Sequence, residues 1–166
     1  MADSSISDSP MATCLWFDKE SEEAARFYCE LFPNSEIREI QTAPGDYPGG
    51  EKGNVITVDF TVLGRPFLAL NGGAETEFTE AVSFQVFTDT QEETDRYWTA
   101  LLADGGEPMM CSWLKDRFGV RWQIVPRVLM EGLRHSDAAT RQRVFHAMGA
   151  MQKIDHAAIE TAVSGA

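Results

Sequence analysis

The feature that most constrains this chain is a repeat. Glu22–Phe32 reads EEAARFYCELF and Glu92–Leu102 reads EETDRYWTALL, and the two align without a gap at an offset of 70 residues. Glu, Glu, Arg and Leu recur outright, and Phe/Tyr, Tyr/Trp and Phe/Leu recur in character. A short apolar stretch precedes each copy, Thr13–Phe17 in one and Val82–Thr88 in the other. A breaker follows each, Pro33-Asn34 and Gly105-Gly106. Self-similarity at a fixed offset marks a module used twice, so the fold has to accommodate two copies of one supersecondary unit.

Periodicity supplies the content of that unit. Ala24, Phe27, Tyr28, Leu31 and Phe32 fall on one face at three-to-four spacing, and Tyr97, Trp98, Leu101 and Leu102 do the same, which predicts an amphipathic helix in each copy. Thr90 with Glu93 has the capping-box pattern, and Ser21 stands where a cap is expected, with Glu22 and Glu23 suited to the positive helix end. The first helix is followed by predicted strands at Glu36–Gln41, Asn54–Val62 and Pro66–Gly72, the last two joined by a tight turn at Leu63-Gly64-Arg65. The second is followed by Pro108–Ser112, Trp113–Asp116 and Val120–Val125. Each half reads strand–helix–strand–strand–strand. Residues 127–166 read as a helical extension, with a helix from Ser136-Asp137 to about Met151 and a shorter one over Ile154–Val163.

Composition narrows the function classes. Twenty-six acidic against 14 basic residues give a net charge of -12. Such a surface repels phosphate backbones and anionic membranes, so no nucleic-acid and no membrane partner is expected. No apolar run reaches the ~20 residues of a spanning helix. Residues 1–11 are polar, lack the regions of a signal peptide, and read as a disordered tail. Three widely spaced cysteines, Cys14, Cys29 and Cys111, argue against a disulfide framework or a zinc site. These features predict a cytoplasmic protein.

The repeat and several local runs resemble a known family. The runs are CLWFD at Cys14–Asp18, EEAARFY at Glu22–Tyr28, LFPNS at Leu31–Ser35 and LALNGG at Leu68–Gly73. The second half adds SFQV at Ser83–Val86, TDRYWTALL at Thr94–Leu102, WLKDRFGVRWQIVP at Trp113–Pro126 and KIDHAAIE at Lys153–Glu160. Over residues 13–163 the sequence resembles the PhnB-like proteins of the vicinal-oxygen-chelate (glyoxalase/bleomycin-resistance/dioxygenase) superfamily. The resemblance implies an α+β fold: paired βαβββ modules, about 12–73 and 81–126, forming a cup-shaped mixed sheet in a domain 12–126, with the helical tail 127–166 appended. It also implies a homodimer. This branch often carries the label 3-demethylubiquinone-9 3-methyltransferase. A typical class I methyltransferase grips its donor with a glycine-rich strand-to-helix turn, and Gly49-Gly50, Gly72-Gly73 and Gly105-Gly106 do not have that context.

Metal-dependent relatives hold a divalent ion with His and Glu from four strands. The equivalent positions here are Thr13, Ser83, Gln123 and Leu70 or Asn71. Such ions want imidazole, thiolate or carboxylate, so no metal and no cofactor is expected. All three histidines, His135, His146 and His156, lie in the tail and read as ordinary helix residues.

Strand alternation then sorts the site. Val82, Phe84 and Val86 are expected on the helix side, with Ser83, Gln85 and Phe87 toward the cavity. Val120, Trp122 and Ile124 pack on helices, leaving Arg121, Gln123 and Val125 inward. Thr13, Leu15 and Phe17, with Phe67, Ala69 and Asn71, are expected inward in the first module. The candidate substrate-binding residues are therefore Thr13, Phe17, Asn71, Ser83, Gln85, Trp113, Arg121 and Gln123. Bland alternatives stand beside them: Gln85 and Gln123 bond only to each other, Arg121 pairs with a rim carboxylate, and Trp113 packs instead of gating. Cys14 and Cys111 read as structural, and Lys115 and Asp116 as solvated turn residues. Three functions compete: a metal-independent enzyme on a small metabolite, a sequestering module whose acidity suits a cationic ligand, and a dimeric scaffold with a filled core.

Overall fold

A computed structural model describes residues 9–73 and 76–166. The expected N-terminal tail lies mostly outside the described residues, and residues 9–12 carry neither helix nor strand. The chain forms two compact units, Met1–Glu77 and Phe78–Ala166. No helix among the described residues is long and apolar enough to cross a membrane.

The first unit contains β1 (Thr13–Phe17), α1 (Ser21–Leu31), β2 (Glu36–Thr42), β3 (Val55–Val62) and β4 (Arg65–Asn71). The sheet order is β1-β4-β3-β2, with β1 parallel to β4 and the other pairs antiparallel. The β3–β4 hairpin is tight because Leu63 and Gly64 both take positive φ, 51° and 74°, the backbone of a type I′ turn whose twist matches that of the strands. Helix α1 buries Ala24, Ala25 and Tyr28 completely. Tyr28 stacks on Phe60 of β3 at 6.5 Å, and Phe60 meets Phe67 of β4 at 5.5 Å.

The second unit repeats the plan with β5 (Phe84–Thr88), α2 (Gln91–Leu102), β6 (Glu107–Pro108), β7 (Trp113–Lys115) and β8 (Arg121–Pro126), in the order β5-β8-β7-β6. It continues into α3 (Arg127–Leu133), α4 (Ala138–Gly149) and α5 (His156–Ser164). The expected helices α4 and α5 are present, capped by Asp137 and Asp155; α3 has no separate counterpart in the sequence reading. Leu129, Val144, Ile154 and Ile159 bury themselves around Val125 of β8, and each such side chain contributes roughly 1.5–3 kcal/mol of burial. Polar ties fasten this extension to α2. His156 Nε2 lies 2.9 Å from Thr94 Oγ1, the His156 amide donates to Gln91 Oε1 at 2.8 Å, and Lys153 pairs with Asp95 at 2.6 Å.

Several expectations need correcting. In the second unit the faces fall as the alternation predicts: Val86, Trp122 and Ile124 are buried on the α2 side, while Gln85 and Phe87 are exposed on the other. In the first unit they are reversed. Leu15 and Phe17 are buried on the α1 side, in register with Ala69 and Asn71, and Cys14 and Trp16 are exposed on the far face. The helices match at an offset of 70, Tyr28 with Trp98, but the strands match one residue further on, Leu15 with Val86 and Phe17 with Thr88. The cause is the connection: Asp18-Lys19-Glu20 joins β1 to α1, and only Asp89-Thr90 joins β5 to α2. A shift of one residue turns every strand side chain to the opposite face.

Val82 precedes β5 and is 67% exposed. The stretch expected as strand at Pro108–Ser112 keeps only Glu107–Pro108, because Cys111 and Ser112 take φ of 58° and 71°. Ser21 does not cap α1; it is the first helical residue, and its amide donates to Asn71 Oδ1 at 2.9 Å.

Candidate functional site

The face of the second sheet opposite α2 gathers most of the candidate residues. Adjacent parallel strands put Gln85 opposite Gln123 and Phe87 opposite Val125, and the antiparallel partner puts Trp113 beside Gln123. Paired residues share a face, so these side chains form one surface. Gln85 Nε2 donates to Gln123 Oε1 at 2.9 Å, and Gln123 Nε2 donates to Ser83 Oγ at 2.7 Å. The row leaves the Ser83 hydroxyl proton and Gln85 Oε1 for another molecule; among the described residues no donor reaches that oxygen.

Arg121 stands at one end of the face. Its guanidinium donates to Glu80 Oε1 from Nε and Nη2 at 3.2 and 3.1 Å and to the Gly119 carbonyl from Nη1. The backbone amide of Glu80 and the Arg121 guanidinium together hold the Glu80 carboxyl below its ordinary range. Arg121 is thus a rim residue with its charge matched. At the other end, Phe87 is 39% exposed and faces a pocket of about 340 Å³ whose far wall is the α3 stripe Arg127, Met130, Glu131 and Arg134. Sequence reading missed this wall. Its signal was the four-residue stripe at i, i+3, i+4 and i+7 directly after the last strand.

Three candidates leave this site. Thr13, Phe17 and Asn71 lie on the α1 side of the first sheet. Asn71 is engaged there at both ends, accepting from Ser21 and donating from Nδ2 to the Val55 carbonyl at 2.9 Å. It fastens the start of α1 to the sheet. The first unit has its own pocket of about 450 Å³ between the α1 start and the 43–54 loop, reached by Lys19, Glu22, Tyr47 and Asn54.

The residues at the positions where the resemblance would put an ion do not fit a divalent cation. Thr13 and Asn71 are turned toward α1, Ser83 and Gln123 bond to each other, and among the described residues no three His, Cys, Asp or Glu side chains gather. The strand-to-helix turns that a methyl donor would need are Asp18-Lys19-Glu20 and Asp89-Thr90, neither with glycine.

Comparison with known proteins places this architecture. The family described as 3-demethylubiquinone-9 3-methyltransferase matches residues 9–125. A solved Bacillus cereus structure, described as a putative 3-demethylubiquinone-9 3-methyltransferase and PhnB protein, is 34% identical, with a TM-score of 0.64 over 71% of this chain and 99% of its own. Protein PA1353 from Pseudomonas aeruginosa is 18% identical, with a TM-score of 0.57 over 70% of this chain and 96% of its own. The Listeria monocytogenes fosfomycin resistance protein FosX is 14% identical, with a TM-score of 0.48 over 80% of this chain and 97% of its own. No curated protein matches. The family match over residues 9–125 and the 34% identical Bacillus cereus structure make the chain a member of the 3-demethylubiquinone-9 3-methyltransferase family, in its PhnB-like group.

Proposed function

We propose that this protein binds a small organic molecule on the face of its second sheet opposite α2, recognising it by shape and hydrogen bonding. The observation that carries the reading is the row Ser83–Gln123–Gln85, bonded at 2.7 and 2.9 Å on an accessible sheet face and opening onto the Phe87 pocket. Side-chain amides fixed by one another are pre-oriented, and a few fixed polar groups beside apolar walls are the usual make-up of a small-molecule site. The protein is cytoplasmic and homodimeric in this reading, and whether the bound molecule is turned over is a property of the ligand once found.

The test is a thermal-shift screen of a metabolite library on wild type and on a Gln85→Leu/Gln123→Leu variant. A ligand at 100 times its Kd stabilises the native state by about 2.7 kcal/mol, a readily visible rise in Tm. We expect ligands that raise the wild-type Tm and lose that effect in the variant. Hits that stabilise both proteins equally remove the amide row from the site. The family name suggests methyl transfer, and titration calorimetry with S-adenosylmethionine is expected to give no binding heat.

A further inference from the structure

We propose that the pocket between Phe87 and α3 takes a carboxylate, so that the ligand of this face is a small organic monoanion with an apolar body. This rests on the small-molecule reading above and adds the ligand's charge. Arg127, Met130, Glu131 and Arg134 occupy one face of α3 and, with Phe87, enclose about 340 Å³, enough for a single ring or a short chain. Phe87 and Met130 supply the apolar walls.

The two arginines are placed as recognition groups. Arg127 is the first residue of α3, where the helix dipole opposes a cation. It is held there from two other sides. Its Nε pairs with Asp89 Oδ1 at 3.0 Å, and its Cζ lies 5.4 Å from the centre of the Phe87 ring. These contacts occupy one edge and one face of the guanidinium. Among the described residues no acceptor reaches its terminal nitrogens, nor any nitrogen of the Arg134 side chain. Arg26, Arg117 and Arg121 each have a carboxylate within 3.2 Å. A planar guanidinium with a free edge matches a carboxylate with two parallel hydrogen bonds.

Glu131 is the one carboxylate among the residues lining the pocket. With Asp89 paired to Arg127, the two arginines and two carboxylates balance, which opposes a polyanion and leaves a single carboxylate to be recognised by the free guanidinium edges. The whole-chain acidity suggests a cationic ligand; the free guanidinium edges in this pocket favour an anionic group. The wall that supplies both cations also lies beyond residues 9–125, the part matched by the family. The charge preference therefore comes from the helical extension and not from the matched part.

Benzoate, benzamide and benzylamine share a ring and differ in charge, which makes them direct probes. Each is titrated into the full chain while the backbone amides of residues 83–89 and 127–134 are followed by heteronuclear NMR. Benzoate is expected to shift both sets and to bind roughly 10-fold or more tightly than benzamide, the scale of a charge-assisted hydrogen bond. Benzylamine should bind most weakly. Arg134→Gln, at an exposed helix end, should weaken benzoate by a similar factor, and Glu131→Gln should tighten it; unchanged amide spectra elsewhere verify both folds. Equal affinities for benzoate and benzamide, benzoate binding indifferent to Arg134→Gln, or no shift with any probe each overturn the proposal. Benzamide binding at residues 83–87 without a benzoate preference sinks the charge assignment and leaves the small-molecule reading standing. Benzoate binding that is lost in Arg134→Gln but unchanged in Gln85→Leu/Gln123→Leu upholds the carboxylate pocket and removes the amide row.

Discussion

At the scale of single residues, Asp116 and Cys29 carry roles that their types alone do not announce. Asp116 was expected to be solvated at a turn, yet it is 1% exposed. Its Oδ1 accepts from the Phe118 and Val120 amides, both at 2.9 Å, and its Oδ2 accepts from the Trp122 indole at 2.8 Å. The turn was legible, since an Asp that bonds the amide two residues on is a common turn device. The burial was not, because it depends on an indole six residues away folding back over the turn. Removing a charged acceptor from three buried donors costs about 3 kcal/mol; urea unfolding of Asp116→Ala should show that loss, with Asp116→Asn retaining part of it. Burial, reinforced by Glu36 and Glu30, pushes the Cys29 thiol from 9.0 to about 11. Between those values the unfolded chain has released this proton and the folded chain has not, so stability falls as pH rises from 9 toward 11. In Cys29→Ala that part of the alkaline decline should disappear from denaturation curves taken across the window.

At the scale of elements, the repeated helices were readable because three-to-four spacing survives substitution, and both helices stand where that spacing put them. The strand faces were readable in the second unit and misread in the first. Alternation fixes which residues share a side, but not which side meets the helix; that depends on the length of the connection, three residues in one copy and two in the other. The candidate site inherits both outcomes. Ser83, Gln85 and Gln123 come together, whereas Thr13, Phe17 and Asn71 go to the α1 side. Asn71→Leu leaves the Ser21 amide and the Val55 carbonyl without their partner, and should cost 1–3 kcal/mol, roughly, in chemical denaturation. The 43–54 loop closes on the end of β4 so tightly that a Cβ on Gly49 would lie 2.5 Å from the Gly73 nitrogen. Gly49→Ala must displace backbone and not a mobile side chain, which predicts a loss of roughly 1–3 kcal/mol, visible as a lower Tm.

At the scale of the whole molecule, the extension after β8 is structural as well as a pocket wall. It covers Val125 with Leu129, Val144, Ile154 and Ile159. Ending the chain at Pro126 would expose that patch and cut the His156 and Lys153 ties to α2, so the truncated protein should melt earlier and bind a hydrophobic dye that the full chain does not. Phe145 stays 60% exposed on the extension and Trp16 42% exposed on the first sheet. Sedimentation of the full chain at micromolar concentration is expected to show a dimer, and a lone 18.5 kDa species would count against it. The helical character of the extension was legible from its periodicity; α3 and its arginine stripe were not, because the value of that stripe lies in Phe87, forty residues earlier in the chain. Every strand of both sheets lies at or before the junction at Pro126, and the α3 wall of the pocket begins with the next residue. A segment exchange at that one joint would swap both pocket arginines and leave every strand of either sheet as it is.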